Sequence, residues 1–338
     1  MEIFVIPLIK IVLVLLINLT VVANLVYAER KISAFIQNRI GPNRVGPLGL
    51  LQSPADVLKL FIKEDIVPTH ANHAIHTLAP IISITVALVT FAVIPFGDTI
   101  DLFGYHVKLM IADVNIGILY ILALTSLGVY GVTLSGWSSN NKYSLLGGLR
   151  SSAQLISYEL SMGLSVVGVI MIAGTLELDR IVELQAGLRW NAFLTPIGFI
   201  TFVVASFAET NRLPFDLPEA EPELVGGYHT EYSGMKFGTF FLAEYANMIT
   251  SSALIVTLFL GGWQIPYLDH FGLSPLVQSI VQILAFVVKV AGMLLFYMWI
   301  RWTIPRFRYD QLMNLGWKVM LPLAIVNLLV TGVGILVL

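Results

Sequence analysis

Apolar runs of about 20 residues recur along the whole chain, and they constrain its architecture before any motif is considered. In hydrocarbon no water satisfies a backbone N–H or C=O, so such a run crosses as a helix whose hydrogen bonds close within it. Eight are read, near residues 3–28, 78–97, 114–135, 154–175, 192–208, 237–260, 277–300 and 316–337. Composition agrees. The chain is 57% hydrophobic and only 12% charged, with a mean hydropathy of +0.84, whereas soluble domains carry about 25% charged residues. The expected fold class is an all-α integral membrane protein, one polytopic domain over residues 1–338. The first run ends in "VYA" before Glu29, which resembles a signal-peptide cleavage site. Its apolar core is too long for a signal peptide and no basic segment precedes it, so it reads as an anchor.

Lys and Arg set the orientation. One set of connections holds Arg30, Lys31, Arg39, Arg44, Lys59, Lys63, Lys142, Arg150, Arg212, Lys236, Arg301, Arg306 and Arg308. The other holds only Lys108, Arg180 and Arg189. Thirteen against three places the long loops 29–77 and 209–236 inside and both termini outside. Both loops are rich in Gly, Pro and charge, so function is expected on the inner face.

Several chemistries are excluded. With no cysteine, the chain holds no thiolate-ligated iron–sulfur cluster, no disulfide and no cysteine nucleophile. All six histidines (70, 73, 76, 106, 229 and 270) fall in expected loops, which argues against a haem between two helices. His70, His73 and His76 share i, i+3, i+6 spacing, yet nothing nearby offers a convincing fourth ligand, so no metal site is expected. Any redox group, flavin included, belongs to a partner or is a visiting molecule. A net charge of −2 without a basic patch gives no reason to expect nucleic acid.

In the first inner loop, Gly41-Pro42 and Gly46-Pro47 enforce turns. Ser53 is a plausible N-cap before Pro54, opening a short amphipathic helix with Asp56, Lys59 and Lys63 on one side. Such a helix lies in the interface plane. Against the first span it leaves a lipid-level gap for an apolar molecule. Arg39, Arg44 and Lys59, set among rigid turns, are candidates for binding. Arg30, Lys31 and Lys63 equally suit basic residues that fix topology.

Ionisable residues inside a span are costly, about 2.5–3.5 kcal/mol on insertion scales, and point to function. Four qualify: Glu159, Glu209, Glu244 and Lys289. Each could instead be an ion pair that only holds helices together, Lys289 as a counter-ion to a buried Glu. The stretch "FDLPEAEPELVGGYHTEY" (215–232) adds Asp216, Glu219, Glu221, Glu223 and Glu231 between two of these spans. Carboxylates desolvated together raise one another's pKa toward neutrality, as a proton relay requires.

Four stretches carry a family resemblance: "AERKISAFIQNRIGPNRVGPLGLLQSPADVLKLFIKED", "AETNRLPFDLPEAEPELVGGYHTEYSG", "FFLAEY" and "WIRWTIPRFRYDQLMNLGWK". They resemble the H-subunit family of bacterial NADH:quinone oxidoreductase (respiratory complex I), whose mitochondrial counterpart is NADH dehydrogenase subunit 1. The likeness spans essentially the whole chain. It implies a membrane subunit that anchors the hydrophilic redox arm, forms the membrane part of the quinone tunnel and links quinone reduction to proton translocation. Quinone, ubiquinone or menaquinone, is then a substrate. The partners implied are hydrophilic-arm subunits with the terminal iron–sulfur cluster and head-group site, adjacent small and antiporter-like membrane subunits, and lipid, in the bacterial inner membrane.

Carried over by matching motifs, the tunnel involves Arg30, Arg39, Lys59, Phe215 and Asp216, with Glu219 and Tyr228 beside them. The acidic connection uses Glu159, Glu209, Glu219, Glu221, Glu223 and Glu244, with Glu231, Lys289 and Arg301 in support. Two alternatives stand: the anchor subunit of a related membrane-bound hydrogenase, and an independent cation-coupled transporter. The intact loop motifs favour the quinone branch, and neither inverted repeats nor interrupted spans are read in the sequence.

Overall fold

The computed structural model describes residues 2–102, 105–187, 189–218, 221–268 and 274–337. Thirteen α-helices are found among them. α1 (Glu2–Ile36) is followed by α2 (Gln52–Ile62), α3 (His73–Val89), α4 (Gly117–Ser138) and α5 (Lys142–Ala173). Short α6 (Leu178–Leu184) and α7 (Asn191–Leu194) precede α8 (Pro196–Glu209), and α9 (Glu221–Leu224) lies in the acidic loop. α10 (Gly234–Phe259), α11 (Pro275–Thr303) and α12 (Tyr309–Asn314) follow, and a π-helical turn, Leu315–Met320, joins α12 to α13 (Leu321–Val337).

Among the described residues, seven segments are long and apolar enough to cross a membrane: Val5–Ile36, His73–Val93, Gly117–Ser138, Lys142–Ala173, Gly234–Phe259, Pro275–Thr303 and Tyr309–Val337. The chain is a multi-pass membrane protein. The run expected at 192–208 is shorter than the others. Thr195 breaks it, Pro196 opens α8, and α8's 14 residues rise about 21 Å. Burial ranks the spans: 78% of the most apolar part of α10 is enclosed against 11% for α1, so α10 is the axis and α1 the rim.

The all-α class holds, with one small addition: a hairpin of β1 (Thr99–Leu102) and β2 (Tyr105–Lys108), antiparallel with Thr99 opposite Lys108. Two expectations are corrected. Ser53 is not a cap: α2 begins at Gln52 behind Leu51, and Ser53 is buried within its first turn. Nor are the histidines all in loops. Asn72 accepts from the Ile75 N–H at 3.3 Å and starts α3 early, which puts His73 and His76 in the helix. His106 lies in β2 and His229 in a 3₁₀ turn, while His270 falls outside the described residues.

Lipid tails are as apolar as a Leu side chain, so helices here associate by close packing at small residues and by buried hydrogen bonds. α5 illustrates both. Its buried side includes Ser144, Gly147, Gly148, Ser151, Ser161, Ser165 and Gly168. A Cβ on Gly136 of α4 would stand 2.4 Å from the Ser144 carbonyl oxygen, so only glycine permits the α4–α5 turn to close. On the other flank, Asn327 of α13 accepts from the Gly198 N–H at 3.0 Å and ties α13 to α8. At the far end of the rim helix, Lys10 of α1 donates to the Met110 carbonyl beyond the hairpin at 3.1 Å.

Ion pairs sort the loops into two groups. At one end Arg30 pairs with Asp56, Lys236 with Asp65, Arg150 with Glu223, and Arg306 with Asp216. At the other, Lys108 beside the hairpin pairs with Asp113 and Asp179. These ends are called the long-loop end and the hairpin end below. Gly136→Ala is expected to destabilise the protein by about 1–3 kcal/mol through overpacking against a rigid backbone. A lower thermal midpoint in detergent than Gly163→Ala, where a Cβ meets open space, checks it.

Candidate functional site

Three helices and one loop bring a charge cluster together at the long-loop end. Glu29, near the end of α1, is buried. Its Oε1 accepts from Arg301 of α11, and its Oε2 accepts from the Tyr245 hydroxyl of α10 at 2.6 Å. Arg212, just past α8 and only 3% exposed, lies 3.6 Å from the same carboxylate. Its Nε stands 2.7 Å from Glu244 Oε1 of α10 with the N–H off the line to the oxygen, so the contact is ionic rather than a directed hydrogen bond. The guanidinium also sits 4.2 Å from the centre of the Tyr245 ring. Two carboxylates and two guanidinium groups therefore balance inside protein. Burial alone lowers the Arg212 pKa, but Glu244, Tyr245 and Glu29 outweigh it and hold the group above its ordinary value.

Next to this cluster lies an elongated cavity. Glu244 and Asn247 of α10 line it with Glu209, Thr210 and Asn211 from the end of α8, Thr125 of α4 and Tyr228 of the acidic loop. Apolar groups such as Ile121, Val166, Phe202 and Leu258 complete its wall. Its volume is 80 Å³. At about 10–15 Å³ per water this is room for a short file of waters. Glu159 of α5 stands behind it, accepting from the Ser126 hydroxyl of α4 and interacting electrostatically with Glu209.

The acidic loop begins in a tight turn. Asn211 takes φ 50, a left-handed conformation that Asn tolerates better than most residues, and directs the chain off α8. Phe215 is buried between Tyr158 and Phe307, each ring centre 5.5 Å away. Asp216 pairs with Arg306 at 2.8 Å, and the Phe307 N–H donates to the Pro214 carbonyl at 3.1 Å. Farther along, Glu223 pairs with Arg150 at 2.6 Å and Glu231 accepts from Asn141 at 2.5 Å. Tyr228 packs edge-on against Phe240. Glu219 and the Glu221 side chain lie outside the described residues.

The expected residues thus separate into groups. Glu209, Glu244 and Tyr228 meet at one cavity, with Glu159 adjoining it. Arg30, Arg39 and Lys59 are exposed on α1, the following turn and α2, whereas Asp216 and Phe215 are buried. Lys289 departs furthest from expectation. It is no counter-ion to a buried Glu among the described residues. Its ammonium donates to the carbonyls of Leu260, Gly262 and Gln264 at 2.8–2.9 Å. That places it at the hairpin end, sixteen residues or about 24 Å along α10 from Glu244. Sequence reasoning missed Glu29, Arg212 and Tyr245. Glu29 reads as a boundary charge and Arg212 as a topology marker until the fold joins them.

The comparisons with known proteins meet this geometry. A family model described as NADH dehydrogenase matches residues 9–332. The chain belongs to that family. Among NADH dehydrogenase family members, NADH-quinone oxidoreductase subunit 8 of Rhodothermus marinus is 56% identical over 321 residues, 92% of this chain and 92% of its own length. An H-type subunit of the NADH-quinone oxidoreductase of Cytophaga hutchinsonii is 52% identical, covering 95% of this chain and 94% of its own. The H-type subunit of the Salinibacter ruber enzyme is 53% identical, covering 92% and 90%.

Lys289→Met is expected to strip three charge-assisted bonds from the end of α10, at a cost of about 3 kcal/mol. Thermal unfolding in detergent should show it, while Lys318→Met, on the π-helical turn, should leave the midpoint close to wild type.

Proposed function

We propose that this chain is the membrane subunit of a proton-translocating NADH:quinone oxidoreductase of the bacterial inner membrane. It forms the membrane part of the quinone tunnel, anchors the hydrophilic redox arm and passes the consequence of quinone reduction into the bilayer through buried carboxylates. The observation that carries this reading is the contact between the Glu29–Arg212–Glu244–Arg301 cluster and the water-sized cavity leading to Glu209. A redox event that changes charge beside the cluster alters the field on Glu244, and the cavity gives protons a route toward Glu159. The names of the relatives, which specify NADH and quinone, favour this branch over a hydrogenase anchor.

In this reading the tunnel is bordered by Arg30, Arg39 and Lys59 on the α1–α2 side and by Phe215, Asp216, Glu219 and Tyr228 on the loop side. The proton path comprises Glu209, Glu159 and Glu244, with Glu221, Glu223 and Glu231 leading in from the loop. Lys289 acts instead as a cap on α10. Quinone is a substrate that visits; the terminal iron–sulfur cluster and the head-group site belong to hydrophilic-arm partners. Small and antiporter-like membrane subunits receive the signal. α2 lies in the interface plane, which its exposed Leu58, Phe61 and Ile62 support.

We infer eight crossings within one domain, short α8 included. Arg150 near the start of α5 pairs with Glu223, beyond α8. Gly174, where the chain leaves α5, lies about 36 Å farther along that helix. The segment through α6, α7 and α8 must therefore return the chain to the long-loop end.

Two measurements test these proposals. The chain has no cysteine, so single cysteines report cleanly. Asn141→Cys and Val225→Cys should label from the cytoplasmic face of intact vesicles and Arg180→Cys from the opposite face. Labelling of all three from one face ends the eight-crossing reading. Separately, Asp216→Asn and Glu223→Gln should lower quinone reductase turnover of the assembled complex about tenfold while NADH reduction of an artificial acceptor persists. Full coupled turnover in both variants makes the acidic loop structural and removes the proposal.

A further inference from the structure

Gln154 of α5 is fully buried, and one atom of it meets three acceptors. Its Nε2 donates to the Ala208 carbonyl at 2.8 Å, to the Phe215 carbonyl at 2.9 Å and to Asn211 Oδ1 at 3.3 Å. Ala208 immediately precedes Glu209, and Phe215 immediately precedes Asp216. A single amide nitrogen therefore spans both ends of the turn 209–215. We propose that Gln154 is a positioning residue that sets the separation of Glu209 and Asp216. This rests on the function proposed above, in which Asp216 borders the tunnel and Glu209 belongs to the proton path.

Each carbonyl has a local donor as well: the Asn211 N–H reaches Ala208 at 3.4 Å and the Leu217 N–H reaches Phe215 at 3.0 Å. What the amide adds is the link between them, since its nitrogen carries two N–H groups and neither carbonyl can donate in return. Removing the amide leaves the two ends of the turn without that shared donor. The two carboxylates then follow different neighbours. Asp216 remains with Arg306 and the segment before α12, whose Phe307 N–H donates to the Pro214 carbonyl. Glu209 remains with α8 at the cavity. A filler of the same shape preserves packing and loses this link, which separates positioning from bulk.

The test uses the assembled complex in membranes, normalised by NADH reduction of an artificial acceptor. Gln154→Leu should lower quinone reductase kcat about tenfold with the quinone KM within about twofold. Gln154→Glu supplies a second, isosteric variant. Its carboxylate has no donor, but its protonated form carries one O–H. The ratio of Gln154→Glu to wild-type turnover should rise several-fold between pH 8 and pH 6, while the Gln154→Leu ratio stays flat. Should Gln154→Leu fail to assemble, the pH dependence of Gln154→Glu decides alone. Wild-type turnover in Gln154→Leu, or a flat ratio for Gln154→Glu, overturns the proposal. If Asp216→Asn and Glu209→Gln still depress turnover in that case, the proposed function stands and only the positioning role falls. If neither depresses it, the function falls as well.

Discussion

A backbone carbonyl shut away from water must find a donor, and this chain ends helices where water is scarce. α10 is the clearest case. Its last carbonyls lie inside the protein, so side chains from distant segments supply the donors. Gln185 donates to Thr257, Asn191 to Leu258, and Lys289 to Leu260 and the two carbonyls beyond the turn. At the opposite end of the bundle Gln154 does the same for α8 through Ala208. A cation at a helix C-terminus also complements the helix dipole. These long-range caps fix where α8 and α10 stop, on the two helices that place Glu209 and Glu244 in the lining of one cavity.

The charge cluster follows from the same accounting. Each of its four ions is expensive to desolvate, and removal of one leaves another buried and unpaired, typically at 3–5 kcal/mol. Such a cluster gives no guarantee of stability. What it provides is a set of charges in mutual contact, each of which feels the protonation and position of the others. Arg212 is central, since it touches both Glu29 and Glu244 while resting on the Tyr245 ring.

Much of this was legible in the sequence. Apolar runs located the spans, and charge asymmetry separated the two ends. The depth of Glu159 and Glu244 set them apart as candidates before any contact was known. Other features had no local signal. Glu29 and Arg301 are 272 residues apart, so neither neighbourhood reveals the pair. Lys289 looked like a mid-span charge seeking an acid, because an apolar sequence does not say that the neighbouring helix ends early and exposes carbonyls. His76 was misplaced because a cap at Asn72 extends α3 one turn beyond its apolar run. The hairpin is too short for period-two alternation to stand out from the apolar background.

Helix α1 is tied down at two points, through Lys10 to Met110 at one end and through Glu29 to the cluster at the other. The nineteen residue steps from Lys10 to Glu29 rise about 28 Å, close to the thickness of a bilayer's hydrocarbon core. Most of α1's surface between those ties is left to its surroundings. A thinner or thicker bilayer therefore tilts α1 against two fixed anchors, one of which is the carboxylate that balances Arg212 and Arg301. Hydrophobic mismatch is accommodated by tilt at a fraction of a kcal/mol per Å. Through this one helix, the thickness of the surrounding lipid becomes a mechanical load on the charge balance of the cluster.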